Sequence, residues 1–487
     1  MTPILNNFNA AEARRLIDQE IAAHEAAIVT HQAAIPGLKR RRNEHSCISK
    51  LPTEVITNIF FIVKGQESDS FEVVGPIAAV CHHWREILLA SPRMWATIST
   101  FSFSSTDRVL ELLKRSQSAP LQIPYLSTAS AKPQAVNAIL KQIGRVQELG
   151  LRLDTQLLHQ IGPTSAPILE RLCLDSGTPE RFTLDMLFRD MPYLRHLQLS
   201  DILTSSGLPP LPSLESLVLD RIELSPLLAF LRSSPKLKDI RIYDTFKNSP
   251  TAAPGPIIVL PNLLSINITA DSTNSSIILA HLEYPPSARV IFESVGESPG
   301  EPDLSGLVKA CGRLAERGAL PISSVTLGGG RLLMLTVSSP GMQGKYLRFL
   351  LEVDYYPMVC LALCSALPVQ DNSVMIFHNL ELTETQWRCA FHSLGQVHTL
   401  QLDHTTLHAL AALLKSSSKE PPLSRLHTLH LYALKGLSDT LRNLLAERKQ
   451  LSIPIMKVVL GYCPIPAEHV DELRGLAEVE WDGREEQ

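Results

Sequence analysis

Five times between residues 167 and 268 the chain repeats one pattern, Pro-x-Leu-x-x-(Leu/Ile)-x-(Leu/Ile), beginning at Pro167, Pro192, Pro212, Pro235 and Pro261. Successive prolines are 25, 20, 23 and 26 residues apart. The alternating apolar residues that close each unit make a short strand with one buried face. No such unit can bury that face alone, so the units must stack on their neighbours. The stretches between strands, such as Ser225 to Ser234 and Leu407 to Lys415, have helical apolar spacing. The pattern therefore predicts an α/β solenoid of short parallel strands alternating with helices over residues 146–480. A weaker early unit falls at Leu149 to Leu153, and late ones at Val397 to Leu402, Leu423 to Leu431 and Ile455 to Leu460.

The repeat lengths are those of leucine-rich repeats, although the asparagine expected after each strand is missing and the units are irregular. Residues 270–395 hold the register poorly. There Val325 to Leu327, Leu332 to Val337, Tyr346 to Val353 and Val374 to Leu382 read as longer strands. Gly328-Gly329-Gly330 reads as a hairpin turn, since no Lys-Ser/Thr follows it to hold a phosphate. If the strand leucines are buried, the alternate residues line the concave side. Among them Arg171, His196, Gln198, Asp220, Arg241, Tyr243, Asn267, Gln401, His430 and Tyr432 are candidates for binding a target protein. The plainer reading is that they are solvated strand residues. No one sign of charge dominates the set, which argues against a nucleic-acid groove.

Ahead of the repeats the period changes. Ile17, Ile21, His24, Ile28, His31, Ile35 and Leu38 form a short coiled-coil-like seam in an N-terminal helix spanning residues 1–46. Its two histidines weaken it, and Pro36-Gly37 is expected to end it. Lys39 to Arg42 is an import signal, a phosphate-binding patch or simply a solvated helix end.

Residues 47–98 are the most specific stretch. Pro52 and Glu54 suit a first helical turn, where amides lack intrahelical partners and an anion is favoured. Val55, Ile56, Ile59, Phe60 and Val63 then make one apolar stripe. Ile77, Val80, Cys81, Trp84, Ile87 and Leu88 make a second, ended by Ser91-Pro92, and Trp95 supplies a large plug. So small a helical unit has a marginal core and needs a partner or a covering domain.

The string Leu51-Pro52-x-Glu54-Val55-Ile56 through Ile59-Phe60, with Val80-Cys81-His82-His83-Trp84-Arg85 and Ser91-Pro92-Arg93-Met94-Trp95, resembles an F-box. With the leading helix and the leucine-rich tail, the chain looks like the F-box proteins of mushroom-forming fungi. The resemblance implies a three-helix module that docks on the Skp adaptor, and through it a cullin, in a ubiquitin ligase. Leu51, Pro52 and Ile56 would present the docking edge, with Ile59, Val80 and Trp84 shaping it. The protein would then be a substrate receptor, with residues 99–145 as a connecting segment and the start of the solenoid. The competing expectation is a ligase-independent scaffold in which the hairpin caps the solenoid.

Composition adds exclusions. A net charge of -4 over 487 residues gives no field to draw nucleic acid or anionic membrane. No apolar run is long enough to span a bilayer, and no secretory leader is evident, so a soluble chain in cytoplasm or nucleus is expected. Eight scattered cysteines suggest reduced thiols, and the close pair Cys360 and Cys364 lacks companions for a metal. No Gly-x-Ser-x-Gly, His-Glu-x-x-His or Walker-type loop is present, so neither catalysis nor a cofactor is expected.

Overall fold

The computed structural model describes residues 10–65, 70–127, 131–152, 164–181, 188, 190–203, 211–245, 255–294, 304–316, 321–329, 332–340, 345–351, 356–368, 373–405, 407–414 and 421–484. Its contacts divide the chain into two compact units, Met1–Gly150 and Leu151–Gln487. The fold is α/β, with 14 α-helices among the described residues and a large, mostly parallel sheet.

The first unit opens with α1 (Ala10–Glu44), none of whose residues is buried. The expected stop at Pro36-Gly37 does not occur, and Pro36 lies inside the helix. A proline removes one backbone hydrogen bond and costs about 3 kcal/mol, which bends a helix without forbidding its continuation. Arg41 and Arg42 in the last turn then complement the negative end of the helix dipole.

Three short helices follow: α2 (Thr53–Lys64), α3 (Ser70–Val80) and α4 (His82–Leu89), then a 3₁₀ turn at Pro92–Trp95. The second apolar stripe runs unbroken in the sequence, yet the structure breaks it at Cys81, whose φ of -160° and ψ of 170° are extended. There the Cys81 sulfur accepts the Trp84 amide, and Arg85 Nε donates to the Ala78 carbonyl at 3.0 Å. These contacts satisfy groups that a helix end leaves open. The break escapes the sequence because the apolar spacing runs on through it.

Residues 99–145, expected as a connecting segment and solenoid start, fall in this first unit by their contacts. They form α5 (Thr106–Arg115), β1 (Leu121–Ser127) and α6 (Pro133–Leu140), followed by β2 (Val146–Arg152) beside β1. Ile98 N donates to Gln122 O and Gln122 N to Ala96 O, so β1 is tied to the end of the helical module. Arg145 adds side-chain hydrogen bonds to the Leu113 and Ala119 carbonyls and the Ser116 hydroxyl.

In the second unit the repeated motifs become β3 (Arg171–Arg181), β4 (His196–Leu203), β5 (Ser216–Ile222), β6 (Asp239–Thr245) and β8 (Ser265–Ala270), a parallel set continued by β10 (Arg289–Ser294). The register follows the motif: Leu172, Leu197, Leu217, Ile240, Ile266 and Val290 are successive partners, as are Leu174, Leu199, Leu219, Ile242, Ile268 and Phe292. All are buried. A one-residue slip would turn every one of them to the polar face, which is why the register is fixed. Between these strands lie α7 (Leu224–Arg232), the short pair β7 (Ile258–Val259) and β9 (Leu282–Glu283), and α8 (Ser272–His281), capped by the Asp271 carboxylate on the Asn274 amide at 2.9 Å.

The stretch that holds register poorly is a meander laid down out of chain order. After α9 (Ser305–Gly312) come β11 (Ser324–Gly328), β12 (Leu333–Ser338) and β13 (Lys345–Leu351), and β12 is antiparallel to both neighbours. β13 pairs back onto β10, and β11 pairs forward onto β14 (Val374–His378) after the crossover helix α10 (Tyr356–Ala366). β11 and β12 form the hairpin expected at the glycines, with Gly328 opposite Met334; Gly330 lies outside the described residues. Val353 and Lys415 lie outside them as well, as does Leu153 of the early unit.

Parallel strands then resume as β15 (Thr399–Asp403), β16 (Thr428–Tyr432), β17 (Lys457–Gly461) and β18 (Glu478–Trp481). They alternate with α11 (Glu384–Ser393), α12 (His408–Leu413), α13 (Ser438–Gln450) and α14 (Ala467–Arg474). A left-handed residue follows β14, β15, β16 and β17, namely Asn379, His404, Ala433 and Tyr462, with φ between 48° and 54°; after β14 the asparagine expected at the turn is present, and Asn379 Nδ2 donates to the Gly329 carbonyl at 3.1 Å. The amides of Asn379, His404 and Ala433 donate to the last carbonyl of the next strand, at 2.8–3.1 Å. This bend gives the backbone amide at each strand end a partner.

Candidate docking surfaces

Two surfaces gather the residues singled out in the sequence, one in each unit. On the helical module, the single stripe expected on α2 divides in two. Ile56 and Phe60 turn inward with Leu88, Met94 and Trp95, while Leu51, Val55, Ile62 and Val63 are exposed, Ile62 at 80% and Val63 at 61%. Ile56, expected at the docking edge, is 0% exposed. Residues one apart on a helix point about 100° apart, so the Val55-Ile56 pair must part company once one of them enters the core. Pro52 stays at the exposed edge and Ile59 is half-buried. Val80 is exposed at the end of α3, and Trp84 is half-buried with its ring edge-on to Phe60, centroids 5.1 Å apart.

The module is held from behind. Trp95 Nε1 donates to the Leu88 carbonyl at 3.0 Å, the Arg115 guanidinium lies 4.4 Å from the Trp95 ring, and that of Arg93 lies 5.1 Å from Phe61. Lys64 is buried, and its ammonium donates to Thr97 Oγ1 at 2.8 Å. The exposed stripe is thus surplus to a core that is already filled.

On the sheet, every candidate residue falls on the face opposite the buried leucines. Arg171, His196, Gln198, Asp220, Arg241, Tyr243 and Asn267 occupy β3 to β8, and Gln401, His430 and Tyr432 occupy β15 and β16. Arg171, Gln198, Arg241 and Tyr243 are exposed and the others half-buried. Five strands, β10, the meander β13, β12 and β11, and then β14, lie between β8 and β15, so the two groups sit apart along one sheet.

The face is mixed in charge and locally paired. Ser265 Oγ donates to Asp239 Oδ1 at 2.7 Å, Arg348 and Glu293 pair at 3.3 Å across β13 and β10, and Lys457 and Glu480 pair at 2.5 Å. His196 is shifted below the usual histidine value of 6.5, mainly by burial and then by Arg171, with Glu215 and Asp239 opposing. His430 is lowered in the same way, by burial and then Lys457, against Glu480.

At the aromatic end of this face, strand alternation singled out Tyr432 but not the residues around it. His378 Nδ1 and Asp403 Oδ2 are 2.9 Å apart across β14 and β15, and the His404 ring lies 5.8 Å from that of His378. Further along, Tyr432, Val459, Gly461, Tyr462, Trp481 and Arg484 line a shallow depression of about 450 Å³. Arg484 stacks 4.0 Å over the Tyr462 ring. Gly461 leaves room for the Tyr432 ring, which a Cβ there would overlap. Residue type gave no signal for it, because the left-handed residues that close these strands, Asn379, His404, Ala433 and Tyr462, share no side-chain chemistry.

Among the described residues no group of His, Cys, Asp and Glu is arranged to hold a metal ion, and no helix is long and apolar enough to cross a membrane. Cys360 and Cys364 are buried one turn apart on α10; their mutual hydrogen bond and burial raise Cys360 well above the usual thiol range. A thiol so raised, as that of Cys360 is, stays protonated and unreactive. No protein-family model matches the chain, and no curated protein matches it.

Proposed function

We propose that residues 48–98 are an F-box-like module that docks on a Skp adaptor, and that the second unit is a leucine-rich solenoid whose polar sheet face holds a target protein for ubiquitination. The observation that carries this reading is the outward stripe of α2. Val55, Ile62 and Val63 on α2, with Leu51 just ahead of it, are exposed on a module whose core is complete without them. Apolar side chains collected on one helix face favour a partner that removes them from water, each worth about 1.5–3 kcal/mol when fully covered. A few such anchors dominate an interface. The polar sheet face, with Gln198, Arg241 and Tyr243 exposed, offers hydrogen-bonding and aromatic contacts of the kind that extended target surfaces use.

The test is retention of a fungal Skp adaptor by the full-length protein and by a Leu51→Asp, Val55→Asp variant. Both substitutions fall on exposed positions, so the variant keeps its melting temperature and loses the adaptor. A wild type that holds no adaptor removes the ligase reading and leaves the second unit as a binding scaffold.

A further inference from the structure

The longest helix contributes nothing to either core. α1 runs for 35 residues, about 52 Å, with no residue buried. Helices in proteins gain most of their stability from packing an apolar face, and this one also carries the cost of an interior proline. The face exists: Ile17, Ile21, Ile28, Ile35 and Leu38 are all exposed and fall on one seam with His24 and His31. The spacing makes Ile21, Ile28 and Ile35 the a positions, and Ile17, His24, His31 and Leu38 the d positions. Pro36 then sits at b, outside the seam.

The flanking positions say what covers it. The e positions are Asp18, Glu25, Gln32 and Lys39, and the g positions are Glu20, Ala27, Ala34 and Arg41. Acid lies at the N-terminal end and base at the C-terminal end of the same stripe. In an antiparallel pair, e faces e and g faces g, so Asp18 meets Lys39 of a second copy and Glu20 meets its Arg41, each pair occurring twice. A parallel pair would bring Glu20 against Glu25 and stack each histidine on its twin. The antiparallel register instead sets Ile21 against Leu38, Ile28 against His31 and His24 against Ile35. Each polar ring meets an aliphatic partner.

We infer that α1 is a self-association helix that pairs antiparallel with the α1 of a second copy of this chain. Like charges at flanking positions select against the parallel arrangement, and opposite charges select for this one. The pairing joins two chains and is independent of what the helical module or the sheet binds.

Analytical ultracentrifugation of the full-length protein tests it. Wild type is expected to dimerise with rising concentration, and Ile21→Asp with Ile28→Asp to remain monomeric with the rest of the chain folded. Lys39→Glu with Arg41→Glu should raise the dissociation constant by ~10-fold, and adding Asp18→Lys with Glu20→Lys should restore it. Orientation is read in a Cys47→Ser, Cys389→Ser background, which removes two exposed thiols. Oxidation should link Ile21→Cys chains to Leu38→Cys chains, and neither variant to itself. A monomeric wild type, a dimer indifferent to Ile21→Asp and Ile28→Asp, or Ile21→Cys chains linking to each other would each overturn the inference.

Discussion

The Lys64 ammonium, at the buried end of α2, donates to Thr97 Oγ1 at 2.8 Å, and Thr97 Oγ1 lies 3.2 Å from Gln122 Oε1 on β1. A charge so buried is held only where hydrogen bonds replace water. It therefore locks the helical module to the strand behind it.

Lys64→Ala removes that anchor and leaves the Thr97 and Gln122 groups to find new partners. We expect a loss of about 2–3 kcal/mol from the first unit, read as an earlier transition in urea unfolding of the full-length chain. The second unit's transition should not move.

Arg448 plays the matching part in the second unit. It is buried on α13, and its guanidinium donates to the Pro422 carbonyl at 3.1 Å and to the Leu423 carbonyl at 2.5 Å, pinning a turn in which Leu423 has a φ of 51°. Burial pushes Arg448 down to about 10, so it remains charged at neutral pH. Arg448→Ala leaves two carbonyls and a cavity, and should cost about 2–4 kcal/mol. Thermal unfolding followed by circular dichroism would register it as a lower melting temperature.

Glycine 306 sets a helix–helix distance. A Cβ at Gly306 of α9 would overlap the Ser276 carbonyl of α8, and the Gly306 amide already donates to Ser276 Oγ at 2.9 Å. Gly306→Ala must push two helix backbones apart, and we expect a destabilisation of about 1–3 kcal/mol. Gly312, with open space around it on the same helix, should tolerate alanine at little cost. Denaturant midpoints of the two variants compare these outcomes directly.

The sheet face also predicts a pH dependence. His196 and His430 are both held below 6.5 in the folded chain, chiefly by burial. The unfolded chain then binds more protons as pH falls through 6.5, so folding stability is lost on acidification below that point and recovered above it. Melting temperatures measured from pH 7 to pH 5 should fall, and a His196→Gln, His430→Gln variant should fall less steeply.

What the sequence displays and what it hides have separate causes. The strands from β3 to β8 could be read because Leu172, Leu197 and their counterparts must all face one core, and only one register achieves that. The polar partners Arg171, His196, Gln198 and Arg241 follow by alternation. The meander was obscure because β12 runs against its neighbours and β13 returns to β10, pairings that chain order does not encode. The break at Cys81 was hidden because an apolar spacing of three and four residues is the same whether one helix carries it or two. Ile56 and Val55 were inseparable in a stripe of hydrophobic residues, since only the packing of Phe60 and Trp84 decides which of the two is buried.

The central claim is that α2 docks through its exposed stripe, and amide hydrogen exchange of the full-length protein with and without a purified Skp adaptor tests it most directly. The predicted result is slowed exchange across residues 51–63 on adding adaptor, with the strands of the second unit unchanged. Unchanged exchange over α2, or protection confined to the sheet, would contradict it.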